Sequence, residues 1–140
     1  MAARTRVLFV CVGNTCRSQI AEALARHTAA DVIEPSSAGI SPFGRIVEPT
    51  RAILRERGVS LDGQYSKGLR EVDPDSFALI VNMTGMPGRS LFPGGNVVDW
   101  EIDDPYGEDL GVYRRILEDI EELLNALASD LRRKACSADL

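Results

Sequence analysis

The fold is decided by residues 7–22, which read Val7-Leu8-Phe9-Val10-Cys11-Val12-Gly13-Asn14-Thr15-Cys16-Arg17-Ser18-Gln19-Ile20-Ala21-Glu22. The first four residues are all apolar, which is typical of a strand buried on both faces. A short polar loop follows, and from Arg17 onward the apolar residues return at helical spacing. The stretch therefore predicts a buried strand, a tight loop that begins at Cys11, and a helix that begins at Arg17.

A loop between a strand and the N-terminus of a helix is a favourable place for an anion. Backbone N–H groups point into such a loop, and the helix dipole adds positive potential. Arg17 adds a planar fork of donors that suits a tetrahedral oxyanion. Cys11 is expected to be a thiolate in this environment, and hence a nucleophile aimed at phosphorus or a similar element.

The composition is that of an ordinary globular domain. The chain has 140 residues, of which 44% are apolar and 26% are charged, enough for one domain (1–140) but not two. The net charge of −5 disfavours nucleic acid as a partner. No apolar run has the length of a membrane helix, and the N-terminus leads directly into a strand, so we expect a cytoplasmic protein with no membrane partner.

The three cysteines limit the possible metal and disulfide chemistry. Cys11 and Cys16 lie in one loop, and Cys136 lies near the C-terminus. An odd number with this spacing does not form the disulfide framework of a secreted domain. Metal binding is also disfavoured, because His27 is the only histidine and no second cysteine pair exists. We therefore expect neither a metal nor a cofactor.

Predicted strands alternate with predicted helices along the whole chain. The strands are 6–10, 32–39, 77–83 and 96–99, the helices are 17–30, 49–57, 86–92 and 108–131, and 132–140 is a frayed tail. This alternation favours an α/β fold with a parallel sheet between helices. Because such folds bind ligands at the carboxyl ends of their strands, we expect Cys11, Ser37, Met83 and the acidic loop 100–107 at one edge.

The residue types of the loop support a catalytic interpretation. Cys11 is the expected nucleophile, and its alternative is a buried strand-end cysteine. Arg17 would bind the oxyanion, Ser18 would donate a hydrogen bond to the Cys11 sulfur, and Asn14 would brace the loop. The leaving group needs a general acid, for which Asp104 is favoured because Pro105 stiffens it. The candidate acids are Asp99, Glu101, Asp103, Asp104 and Glu108.

Residues 7–23 strongly resemble the P-loop of the low-molecular-weight protein tyrosine phosphatases, and Asp104-Pro105-Tyr106-Gly107 resembles the general-acid motif of that family. The resemblance covers essentially the whole chain. It implies a flavodoxin-like, phosphotyrosine phosphatase I-like three-layer sandwich, whose four-stranded parallel sheet has the order 2-1-3-4. It also implies a phosphorylated protein as substrate, a cysteinyl-phosphate intermediate and no metal.

The resemblance assigns roles to matching positions. Cys11 is the nucleophile, Arg17 the phosphate ligand and Asp104 the general acid. Asn14, Ser18 and Ser37 form a supporting hydrogen-bond network, although Gln64 stands where many members have a supporting histidine. The remaining residues expected around the phosphate and its leaving group are Val12, Gly13, Thr15, Cys16, Phe43 and Tyr106.

Several alternatives stay open. Some bacterial relatives that also have a threonine at the position of Thr15 are similar to protein-arginine phosphatases. Phosphoarginine therefore competes with phosphotyrosine as the expected substrate. Gln19 and the run 100–105 look more like thioredoxin-coupled arsenate reductases, but those enzymes need two further cysteines, and residues 82–89 contain none. A non-catalytic oxyanion-binding protein is a third possibility. Cys11 and Cys16 could form a disulfide that protects the loop from peroxide.

Overall fold

The computed structural model describes residues 4–138, in which four parallel strands alternate with helices. The sheet has the order β2-β1-β3-β4, which confirms the predicted order. Two short 3₁₀ turns, Leu69–Glu71 and Pro74–Ser76, precede the third strand. The strands are β1 (Thr5–Cys11), β2 (Ile33–Gly39), β3 (Leu79–Asn82) and β4 (Val97–Asp99), and the α-helices are α1 (Arg17–Thr28), α2 (Glu48–Glu56), α3 (Gly88–Leu91) and α4 (Leu110–Ala138).

Strand β1 is the centre of the sheet and separates two apolar layers. Val7 and Phe9 pack in one core with buried side chains of α1 and α4. Leu8 and Val10 face the other side, where they pack with Ile80 and the Phe92 ring. Alternate residues of a strand point to opposite faces, so a strand buried on both sides must be apolar throughout. The three-layer α/β sandwich that the resemblance implies is confirmed.

The register of the strands brings the carboxyl ends of β1, β2 and β3 to one edge. Cys11 pairs with Gly39, and Val10 pairs with Asn82. Gly39 leaves no room for a side chain, because a Cβ atom there would lie 2.7 Å from the carbonyl oxygen of Val12. The loop after β1 can therefore lie directly against the end of β2.

Helix α4 is longer than the sequence pattern indicates. The structure continues it to Ala138, whereas we expected a frayed tail over 132–140; residues 139 and 140 lie outside the described residues. Arg132 pairs with Asp31, with 2.8 Å between nitrogen and oxygen, and donates to the carbonyl oxygen of Thr28. Such polar contacts extend a helix beyond its last apolar residue, where the periodicity is no longer visible.

Helix α4 packs against α1 and α2. Within residues 4–138, the helices lack the combination of length and apolar character that crossing a lipid bilayer requires.

The packing of α4 predicts the stability of two matched variants. Ile120 is fully buried, whereas Leu123 is 36% exposed on the same helix. Ile120→Ala should lower the free energy of unfolding by about 2–5 kcal/mol, because it leaves a cavity. Leu123→Ala should change it by about 0.5 kcal/mol or less. Urea unfolding followed by circular dichroism measures both, and equal losses would contradict the described packing.

Candidate active site

The loop from Cys11 to Arg17 turns at Asn14. Among the described residues other than glycine, Asn14 alone has a positive φ, of 50°. Asparagine tolerates this left-handed conformation better than most residues. The Asn14 side chain is also fixed, because its Oδ1 accepts from the backbone N–H of Lys67 at 2.9 Å and its Nδ2 donates to the Ser18 hydroxyl at 2.8 Å. The loop is therefore closed by its own side chain.

The loop turns its carbonyl groups outward and leaves its N–H groups free. The carbonyl oxygens of Val12 and Gly13 accept hydrogen bonds from the N–H groups of Ser41 and Phe43, at 2.9 and 2.8 Å. In the part of the chain that the structure describes, the N–H groups of residues 13–16 have no hydrogen-bond partner. Buried N–H groups are nearly always paired, so this row of donors is suited to an anion.

Cys11 is in contact with the Ser18 hydroxyl. The Cys11 sulfur lies 2.8 Å from Ser18 Oγ, and both side chains are buried. Because Asn14 Nδ2 donates to Ser18 Oγ, the Ser18 hydroxyl hydrogen is available for the sulfur. A hydrogen bond donated to a sulfur favours its charged form.

Arg17 lies at the bottom of the same loop and is 5% exposed. One terminal nitrogen donates to the carbonyl oxygens of Met83 and Ile102, at 2.5 and 3.1 Å. The other lies 3.6 Å from Asp104 Oδ2. Within residues 4–138, Nε of Arg17 is the one fully buried side-chain nitrogen or oxygen without a hydrogen-bond partner. Leaving such a donor unpaired is costly, so the geometry favours an anionic ligand.

Asp104 is the one candidate acid that lines the cleft with Cys11. Its Oδ1 accepts from the N–H of Tyr106 at 3.0 Å, and its side chain is 53% exposed. Asp99 is instead hydrogen-bonded to Asn82 and Gly88, and the side chain of Asp103 is 87% exposed. These acids do not form a cation site: over residues 4–138, no group of three or more His, Cys, Asp or Glu could hold a metal ion.

The cleft above Cys11 has a volume of about 180 Å³ and two aromatic walls. The Phe43 and Tyr106 rings meet edge to face with their centroids 5.4 Å apart, and both rings are about half exposed. The walls leave space for a flat side chain between the surface and the loop. The lining residues are Cys11, Val12, Gly13, Thr15, Cys16, Arg17, Ser41, Phe43, Asp104 and Tyr106.

Thr15 lines the cleft, but its hydroxyl is bonded elsewhere. The hydroxyl donates to the carbonyl oxygen of Arg45 at 2.5 Å and accepts from the N–H of Val47 at 3.1 Å. Thr50 fixes the Thr15 carbonyl from the other side, at 2.9 Å. Both groups of Thr15 therefore hold the loop against the segment that leads into α2.

Cys16 lies behind the loop, where its sulfur is 3.4 Å from the Tyr113 hydroxyl of α4. Burial raises the pKa of the Cys16 thiol above its ordinary value, and it also raises the pKa of Tyr113. Both groups therefore stay protonated at neutral pH.

Ser37 does not directly join Asn14 and Ser18, contrary to the expected network. Its hydroxyl donates to Glu22 Oε1 at 2.6 Å instead. Gln19 takes the expected place beside Asn14, since its Nε2 donates to Asn14 Oδ1 at 2.8 Å. The resemblance contained a signal for this, because Gln19 and Gln64 are among the positions where the sequence departs from the phosphatase pattern.

The polar residues that sequence reasoning missed are Glu22 and Lys67. They are 4% and 8% exposed, and Lys67 Nζ lies 4.0 Å from Glu22 Oε1. The helical spacing of the apolar residues of α1 gives no signal for Glu22, which lies off their face, because all of residues 17–25 are buried by tertiary packing.

Comparison with known proteins agrees with the fold. A family profile described as low molecular weight phosphotyrosine protein phosphatase matches residues 6–137. A glutaredoxin arsenate reductase from Synechocystis is 29% identical over 90% of this chain and 98% of its own length. A protein-arginine-phosphatase from Bacillus subtilis is 30% identical over 91% of this chain and 97% of its own.

Among solved structures, the arginine phosphatase YwlE from Geobacillus stearothermophilus superposes with a TM-score of 0.84 at 28% identity, covering 95% of this chain and 96% of its own. The same architecture thus carries phosphatase and arsenate reductase names in different organisms. The profile match spans nearly the whole chain, and this protein therefore belongs to the low molecular weight phosphotyrosine protein phosphatase family of enzymes.

Proposed function

We propose that the protein removes a phosphoryl group from a phosphorylated protein side chain through a cysteinyl-phosphate intermediate. The observation that carries the proposal is the unpaired Nε of Arg17. The Arg17 side chain lines one cleft together with Cys11 and Asp104. A phosphoryl group supplies the oxygens that this nitrogen and the free loop N–H groups lack. The membership of the phosphatase family supports the same reaction.

The first step transfers the phosphoryl group to sulfur. The loop N–H groups and Arg17 bind the non-bridging oxygens and stabilise the charge that develops on them. The Cys11 thiolate attacks phosphorus while the bond to the leaving group breaks. Asp104 gives its proton to the leaving atom, which departs neutral.

The second step hydrolyses the cysteinyl phosphate. Asp104, now a carboxylate, takes a proton from a water molecule that attacks phosphorus. The bond between sulfur and phosphorus breaks, phosphate is released, and Cys11 returns as a thiolate that Ser18 stabilises. Asp104 suits this step because about half of its side chain is exposed and open to water.

Substitutions at Cys11 and Asp104 separate the nucleophile and the acid from the surrounding residues. Cys11→Ser should lower turnover of p-nitrophenyl phosphate by roughly 1,000-fold or more, because the attacking thiolate is lost. Asp104→Asn should slow phenyl phosphate by roughly 100-fold, and p-nitrophenyl phosphate less, because only the more basic leaving group needs the proton. Steady-state assays of both esters measure this.

Asp103→Asn is the matched control, since among residues 4–138 this exposed neighbour forms an ion pair only with Arg115, and it should keep wild-type rates. Full turnover in Cys11→Ser would end the phosphatase proposal.

Phosphotyrosine is the substrate that the cleft favours. The walls are aromatic, and the Thr15 hydroxyl is bonded to the backbone of Arg45 and Val47 rather than directed to a leaving group. The name of the Bacillus subtilis relative supports phosphoarginine as the second candidate. A guanidinium leaving group needs polar partners in the cleft, whereas a phenol ring needs apolar contact.

A substitution at Thr15 distinguishes the two substrates. Thr15→Val removes the hydroxyl and keeps the shape, so it should lower kcat/KM for both substrates through the loop. The ratio of phosphotyrosine to phosphoarginine peptide turnover should stay above one and change by less than about threefold. This ratio is its own control for damage to the loop. A selective loss of phosphoarginine turnover, of tenfold or more, would show that Thr15 binds the guanidinium.

Arsenate reduction is the second candidate function, because arsenate has the charge and shape of phosphate and a relative carries that name. The Cys11 thiolate would attack arsenic and expel water. A second thiol would then attack the Cys11 sulfur and release arsenite, leaving a disulfide. Cys16 is buried and Cys136 is exposed on the surface of α4, so an external thiol is the simplest source. Arsenate turnover with glutaredoxin or thioredoxin that exceeds aryl phosphate turnover would favour this function.

Peroxide should inactivate the enzyme reversibly. It oxidises the Cys11 thiolate to a sulfenic acid, and attack by the Cys16 sulfur then expels water and forms a disulfide. Wild-type activity should return with dithiothreitol, whereas Cys16→Ser should stay largely inactive because its sulfenic acid oxidises further. Activity before and after reduction measures this. Cys136→Ser is the control, and equal recovery in both variants would exclude Cys16 from the protection.

A further inference from the structure

A second pocket lies beside the catalytic cleft, and the proposed reaction does not use it. Its volume is about 480 Å³, which is larger than that of the cleft above Cys11. Residues 100–103 line this second pocket, whereas the next residue, Asp104, lines the cleft. The two cavities therefore share one wall, and a long molecule bound at Cys11 has the second pocket within its reach.

The shared wall is held in place by Arg17, which lines the cleft. Its guanidinium donates to the carbonyl oxygen of Ile102 at 3.1 Å, and Ile102 borders the second pocket. The distance between the cavities is short, because residues 101 and 104 are three positions apart and span at most about 11 Å. An extended peptide covers that distance in roughly three residues.

One part of the second pocket is apolar. Trp100 packs on Phe9 with the ring centroids 6.0 Å apart, and it lines the pocket together with the exposed residues Met86 and Pro87. Trp100 is only partly buried, so some of its surface remains open to a ligand. An indole ring packs well against the methylene stem of a long side chain, and its face attracts a cationic head group.

Another part of the second pocket is acidic. Glu101 is exposed and forms neither a hydrogen bond nor an ion pair through its side chain with residues 4–138. Asp99 accepts from Asn82 Nδ2 at 2.9 Å, but the described part of the chain supplies no cation to it. Asp103 also borders the pocket, but it already pairs with Arg115, and we assign it no part in binding. Two carboxylates of the pocket are thus left without a positive partner.

We propose that the second pocket is a subsite for an arginine side chain of the phosphorylated protein, two to four residues away from the phosphorylated residue. The guanidinium lies against Trp100 and pairs with Glu101 and Asp99, while the phosphoryl group occupies the loop. Arginine fits better than lysine, because its planar head group stacks on aromatic rings and bonds a carboxylate through two nitrogens. The inference deepens the proposed phosphatase function and rests on it for the identity of the ligand.

Short phosphotyrosine peptides test the subsite. The reference peptide has alanine on both sides of the phosphotyrosine, and each test peptide has one arginine, placed two, three or four residues before or after it. One of these positions should raise kcat/KM roughly tenfold over the reference, mainly through KM, because it gains a cation–π contact and an ion pair. The other positions should change it by less than about twofold, since their side chains do not reach the pocket.

Variants of Glu101 assign the gain to the pocket. The measured quantity is the ratio of kcat/KM for the best arginine peptide to that for the reference peptide. Glu101→Gln should lower this ratio to roughly threefold, since Trp100 remains, and Glu101→Lys should lower it to about one or less. Glu108→Gln is the matched control, because it removes the same charge from an exposed residue of the same loop that lines neither cavity, and it should keep the wild-type ratio.

Three results would overturn the proposal. The first is the absence of a gain at every position, and the second is an equal gain at all positions, which would reflect only the negative charge of the whole protein. The third is an equal change of the ratio in Glu101→Gln and Glu108→Gln. Turnover of p-nitrophenyl phosphate separates the subsite from the proposed function, because this ester has no residue that reaches the second pocket.

The two possible failures are therefore distinct. An enzyme that hydrolyses the ester and the reference peptide without an arginine preference would refute the subsite and keep the phosphatase function. A protein that hydrolyses neither would refute the function. Binding of the same peptides, followed by fluorescence anisotropy, would then test the subsite on its own, with tighter binding of one arginine peptide as the supporting result and equal binding of all as the contrary one.

Discussion

The structure depends on holding unpaired hydrogen-bond donors inside a buried loop. The N–H groups of residues 13–16 and the Nε of Arg17 have no partner among residues 4–138, and each such group costs free energy when water is excluded. The surroundings must therefore fix the loop strongly enough to offset that cost. The carbonyl contacts to residues 40–43, the left-handed Asn14 and the hydrogen bond from Gln19 to the Asn14 side chain all serve this purpose.

The parallel sheet supplies the platform for this arrangement. Because β1 lies between β2 and β3, the loop at its carboxyl end is supported on both sides, by Gly39 and by the carbonyl of Met83 that accepts from Arg17. The loop after β4 then brings Asp104 within 3.6 Å of the same guanidinium. One arginine thus joins the oxyanion site, the end of the sheet and the acid loop.

The sequence predicts much of this and misses parts for physical reasons. The apolar run of β1, the loop and the first turn of α1 are local patterns, so the fold class, strand order and cleft residues could be inferred from them and from the resemblance. The end of α4 could not be predicted, because its last residues are held by polar contacts such as the ion pair between Arg132 and Asp31. The hydrogen-bond partner of Ser37 could not be predicted either, since Glu22 and Ser37 meet only through the packing of α1 on β2. Pairings between elements that are distant in sequence leave no periodicity to detect.

The proposed hydrolysis and the alternative arsenate reduction begin alike, so one site suits both oxyanions. Each needs a thiolate, a row of donors and an arginine, and none of these distinguishes phosphorus from arsenic. The reactions differ in the second step, where a phosphatase needs water and a base, whereas a reductase needs another thiol. In the proposed hydrolysis the half-exposed Asp104 would supply the base, while the second cysteine of the loop is buried, protonated and hydrogen-bonded to Tyr113. Water needs no second thiol, and Asp104 lines the same cleft as Cys11, so the local chemistry of the second step favours hydrolysis.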